Sequence, residues 1–180
     1  MIRPRSPETG EWSSSHRRRG DGAIESIQRM VAPRPVVERT VDGAMMLGAA
    51  YWREVERLTR GVVRTRSRGS GLELRVAPCG PALLRFGNPQ LSVTSGAVST
   101  TYPIVGGLLA RRAAGSITLS MSVGAGRVEL RSAIAGYHPT LAARPGAPAW
   151  TGELYDQIQA RVHARVSRRY FRRLIDRAAP

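Results

Sequence analysis

The sequence predicts an α+β domain: a curved antiparallel sheet of about seven strands wrapped on a long C-terminal helix, in the order β-α-β6-α. Three observations carry that prediction. Hydrophobicity alternates with a period of two over much of residues 62–134, as strands with one dry and one wet face require. Apolar residues recur at helical spacing over 43–59 and again from 151 onward. Breaks rich in Gly and Pro separate the two-period runs at short intervals, so successive strands turn back on one another. With 180 residues the chain is long enough for one domain with a sizeable core.

The organisation follows from composition. Residues 1–22 are rich in Arg, Ser, Pro, Glu and Gly, with Trp12 as the one large aromatic group, and are predicted to be a disordered basic tail. Residues 23–33 place Ile24, Ile27 and Val31 at helical spacing, which suggests a short helix or linker. Residues 34–178 form the single predicted domain.

Within it, 36–41 carries three valines and a threonine after Pro35 and reads as the first strand. Asp42 offers an N-cap oxygen for the helix at 43–59. Leu47, Tyr51, Val55 and Leu58 share one side of that helix; Arg53, Glu56, Arg57 and Arg60 share the other. Strand-like runs, not all of them separate strands, follow at 62–67, 72–76, 82–86, 91–93, 98–104, 117–123 and 128–134. The connection Gly124-Ala125-Gly126 is a hairpin signal. After a Pro-rich stretch, Thr151 is placed to cap the last helix, where Leu154, Ile158, Val162, Val166, Tyr170 and Leu174 recur every four residues.

The formal charge is +15, and all 28 basic residues are arginine. Such a balance points toward nucleic acid or an anionic membrane surface. The arginines are spread along the chain, however, and dispersed charge is more often solvated surface. The ordered exception is Arg161, Arg165, Arg168 and Arg172, within an arc of about 60° on the last helix. The longest apolar run, 44–52, is far shorter than the ~20 residues of a membrane span. Arg17-Arg18-Arg19 is not followed by an apolar stretch of signal-peptide length, so a cytoplasmic location is expected.

This order of strand, helix, strands and long final helix resembles the helix-grip superfamily, which includes START-related, birch-pollen-allergen-like and polyketide cyclase-like proteins. The resemblance covers about residues 34–178 and rests on element order and hydrophobic period. It implies a sheet that grips the last helix and a hydrophobic small molecule or lipid bound between them. The helical segment after the first strand is shorter here than is usual in that superfamily.

Periodicity alone is the same for a filled core and for a cavity. With the resemblance, the cavity candidates are Trp52, Leu74, Phe86, Tyr102, Met121, Leu130, Tyr137, His138, Tyr155, Ile158 and Val162. Polyanion binding through the four helix arginines is the alternative. A cyclase-like activity ranks below both, with His138, Tyr102 and Tyr137 as its nominees. No catalytic set, metal site or cofactor is expected. The single Cys79 lies in a Pro/Gly turn without a local base, and three scattered histidines lack metal-ligand spacing.

Overall fold

A computed structural model describes the backbone of residues 10–140 and 149–179, and the side chains of the last helix from residue 161 onward. The elements are β1 (Trp12–Arg18), β2 (Ile24–Ala32), α1 (Val41–Leu58), β3 (Val63–Arg68), β4 (Gly71–Val76), β5 (Ala82–Phe86), β6 (Gln90–Val93), β7 (Ala97–Gly106), β8 (Ser116–Gly124), β9 (Arg127–Tyr137) and α2 (Ala149–Ala178). The α+β class, the curved antiparallel sheet and the long final helix are as the sequence predicts. No helix among the described residues is long and apolar enough to cross a membrane.

The first forty residues depart from expectation. Residues 12–18, assigned to a disordered tail, form an edge strand; residues 24–32, read as a short helix, form β2. The reason lies in β2's inward set, which is Ile24, Ser26, Gln28 and Met30. Two of the four are polar, so the true period of two is hidden. The spacing of Ile24, Ile27 and Val31 imitates a helix instead. Residues 36–40 are a series of bends and not a strand. Thr40, not Asp42, caps α1: its Oγ1 accepts the Gly43 N–H at 3.1 Å. α2 starts at Ala149, two residues before the predicted cap Thr151.

The strand order is β1-β2-β9-β8-β7-β5-β4-β3, antiparallel throughout, and the sheet does not close. β6 also pairs with β7. β5 lies beside Ile104 and Gly106, and β6 beside Val98–Thr101, so the two are halves of one strand broken at Gly87-Asn88-Pro89. The β8–β9 hairpin turns on Ala125 and Gly126, with φ of 50° and 71°, as a two-residue turn of that hand requires.

The two helices divide one face of the sheet. α1 packs on β3, β6, β7 and β8; α2 packs on β1 and β2; the helices also touch each other. Leu74, Phe86 and Tyr102, nominated for a cavity between the sheet and α2, therefore belong to the half covered by α1, where Trp52 lies 4.9 Å from Phe86 and 5.2 Å from Tyr102 between ring centroids.

The buried side of α2 is His163, Val166, Ser167, Tyr170, Phe171 and Leu174. Val162, assigned to the buried stripe, is 56% exposed. A four-residue step overshoots a 3.6-residue turn by about 40°. Counting back from Leu174, the buried positions of a straight helix fall three, four, seven, eight and eleven residues away, which selects His163 and leaves Val162 outside. Phe171 is fully buried and stacks at 5.2 Å on Tyr170 and 6.1 Å on Trp12. That contact ties the polar edge strand to the core.

Candidate functional site: an apolar groove beside α1

Helical spacing puts Met45, Ala49 and Trp52 on one stripe of α1, beside the fully inward face of Leu47 and Tyr51. Opposite this stripe lie Leu72 of β4, Leu91 of β6 and Tyr102 of β7. Together they border an open groove of about 380 Å³, with Pro89 at the break between β5 and β6. That size falls at the small end of the range for small-molecule sites, ~300–1,000 Å³.

Two features shape its floor. Gly48 lets the Tyr102 ring lie directly against α1; a Cβ there would collide with the Tyr102 hydroxyl. Trp52, Phe86 and Tyr102 then form a tilted and edge-to-face triad. Trp52 is 4% exposed, and its buried indole N–H has no hydrogen-bond partner. At the rim the surface is unusually oily: Met45 is 50% exposed and Leu91 is 37% exposed.

A second arrangement lies inside the sheet, where α2 meets β2 and β9. His163 Nε2 is 3.1 Å from Ser132 Oγ, and its Nδ1 is 3.3 Å from Ser26 Oγ. Gln28 donates to Ser26 Oγ at 2.9 Å, and the Tyr51 phenol lies near Ser132. Burial holds the His163 imidazole neutral, with its pKa pushed down to about 3, and raises the Tyr51 phenol. Gln28 Oε1, Thr100 Oγ1 and Ser167 Oγ are buried there without partners. In register, Gln28 pairs with Ser132, Ser132 with Leu119, and Leu119 with Thr100, so the polar groups share one row across the sheet. This cluster fastens α2 to the sheet. Sequence reading missed it because Ser26, Gln28, Ser132 and Thr100 occupy positions that alternation assigns to apolar residues.

The structure gathers only part of the nominated set. Trp52 and Tyr102 line the groove, with Phe86 beneath them. Leu74, Met121 and Leu130 are core; Met121 and Leu130 face each other across β8 and β9 with no exposure. Tyr137 donates to the Leu109 carbonyl at 2.6 Å, which pins the loop before β8. His138 contacts Arg112 at the end of β9; burial and that guanidinium lower its pKa. The side chains of Tyr155 and Ile158 lie outside the described residues. Val162 points into solvent and does not line the interior.

Arg161, Arg165, Arg168 and Arg172 are all exposed, on the side of α2 away from the core. Their neighbours Arg169 and Arg173 turn inward to Glu54 of α1 at 3.2 and 2.8 Å. Glu54 itself is fully buried. Among the described residues no group of three or more His, Cys, Asp or Glu side chains comes together to hold a metal.

No protein-family model matches the sequence, and no curated protein does. Solved structures similar to it include the solution structure of CalU16 from Micromonospora echinospora, at 12% identity and a TM-score of 0.33, covering 91% of this chain and 98% of that one. The crystal structure of CalU16 aligns at 12% identity with a TM-score of 0.34, covering 93% and 92%. The crystal structure of Ara h 8.0201 aligns at 8% identity with a TM-score of 0.39, covering 89% and 99%. The fold assignment rests on strand order and helix placement and not on these scores. An open antiparallel sheet with a long final helix seated on its face gives this chain the helix-grip architecture.

Proposed function

We propose that the protein binds a hydrophobic small molecule or lipid, with the groove beside α1 as the binding surface. The observation that carries this reading is the apolar wall of Met45, Ala49, Trp52, Leu72, Leu91 and Tyr102 around about 380 Å³ of open space. Covering those side chains removes apolar surface from water, at roughly 25 cal/mol per Å².

A neutral fluorescent probe, N-phenyl-1-naphthylamine, tests it. Saturable enhancement is expected with the natural sequence. Ala49→Trp fills the groove from an exposed position of α1 and should abolish the enhancement while leaving the urea midpoint unchanged. Undiminished probe binding by a folded Ala49→Trp variant would remove the groove from the account.

A further inference from the structure

The apolar groove continues into a charged one. Arg53 and Thr65 close one end of it and also line a second depression, of about 620 Å³, between the end of α1 and β3. Four guanidiniums border this depression, from Arg53, Arg57, Arg60 and Arg64, against one carboxylate, Glu56. Glu56 is engaged elsewhere: its Oε1 accepts the Thr65 N–H at 2.7 Å and the Thr65 hydroxyl. Arg53 Nε donates to the Ala49 carbonyl at 3.2 Å, and Arg57 reaches Glu54 at 3.7 Å. Among the described residues no carboxylate pairs with Arg60 or Arg64. The Arg64 guanidinium lies over Gly61, 3.8 Å from where a Cβ would be.

The negative end of α1 does not oppose an anion strongly here. Its last carbonyls are occupied by the N–H groups of Thr59, Arg60 and Gly61 and by the Thr59 hydroxyl. The planar guanidinium forks of an arginine pair suit the paired oxygens of a phosphate or carboxylate.

We propose that the two depressions are one bipartite site for a single-chain amphiphile with an anionic oxyacid head. The chain lies along Met45, Trp52, Leu72 and Leu91, and the head lies between Arg60 and Arg64, with Arg53 at the junction. This rests on the reading that the apolar groove takes a hydrophobic ligand, and it adds the chemical class of the head.

Isothermal titration with dodecyl phosphate, 1-dodecanol and inorganic phosphate, below the micellar range, separates the two claims. At low salt dodecyl phosphate should bind about tenfold more tightly than dodecanol. Added salt should narrow the gap, because both free arginines are exposed. The double variant Arg60→Gln, Arg64→Gln should lose the preference and keep dodecanol binding and the urea midpoint. Equal affinity for both amphiphiles in the natural sequence, or a preference that survives in the double variant, overturns the bipartite site and leaves the apolar reading standing. Inorganic phosphate binding as tightly as dodecyl phosphate also overturns it, because head and chain would then not share a site. Binding of neither amphiphile defeats both claims.

Discussion

Glu54→Gln removes one charge from the junction of the two helices and nothing from the shape of the core. Glu54 is fully buried on α1, and its two oxygens face Arg169 Nε at 3.2 Å and Arg173 Nε at 2.8 Å on α2, with Arg57 at 3.7 Å. These are ion pairs without aligned hydrogen bonds, since neither oxygen has a hydrogen-bond partner. Removing one member of a buried pair costs roughly 3–5 kcal/mol when its partner stays buried. Here the Arg169 and Arg173 side chains are 48% and 43% exposed, so they can recover hydration once the carboxylate is gone. Discounting for that, a loss of about 2 kcal/mol is expected. For a chain of this length that corresponds to a fall in Tm of about 4–8 °C. Urea denaturation of Glu54→Gln, Arg173→Gln and the double variant supplies the coupling energy, expected to exceed about 0.5 kcal/mol. Additive single effects, or a Glu54→Gln midpoint indistinguishable from the natural one, would refute the helix-to-helix lock.

Three further outcomes are expected. His163 is neutral in the folded chain down to about pH 3, whereas an unfolded histidine takes up a proton near its ordinary value of 6.5. Its contribution is therefore fully present above pH ~6.5 and is lost as pH falls, by about 1 kcal/mol between pH 6 and pH 5. Urea midpoints over that interval should show a shallower slope for His163→Gln than for the natural sequence. His138 is shifted in the same direction and remains in both proteins, so an unchanged slope would remove His163 as the cause. On α2, Val162→Asp should change stability by less than ~0.5 kcal/mol, while Phe171→Ala should cost about 3–5 kcal/mol; thermal melts reversing that order would overturn the buried face. Gly48→Ala should displace Tyr102 from α1, costing about 1–3 kcal/mol and weakening probe binding. Retained affinity would show that the Tyr102 ring does not shape the groove.

From β3 to β9 the strands are legible because most of them alternate apolar and polar residues, and Gly or Pro marks most turns. Leu119 and Met121 in β8 and Leu130 in β9 are inward in both readings. Legibility fails where inward positions are polar. Ser26 and Gln28 hid β2, and the polar sequence of β1 hid an edge strand held by pairing to β2 and by Trp12 on Phe171. Polar edge strands resist association with other chains, which is also why they look like tails. Part of the candidate site was visible as Trp52 and Tyr102. Its location was not, because sequence spacing does not reveal which helix covers which half of a sheet. Met45, Ala49 and Trp52 at helical spacing were the available signal for a second apolar stripe on α1. The arginines of the adjoining depression looked like a solvated face, since Arg64 comes from β3 and only folding brings it beside Arg60.

Methyl-resolved NMR during titration with 1-dodecanol tests the central claim most directly. The account predicts shifts in Met45, Leu72 and Leu91, with Leu119 and Leu130 unmoved. Shifts confined to Leu119, Leu130 and Ile134 would place the ligand in the sheet interior and contradict a site beside α1.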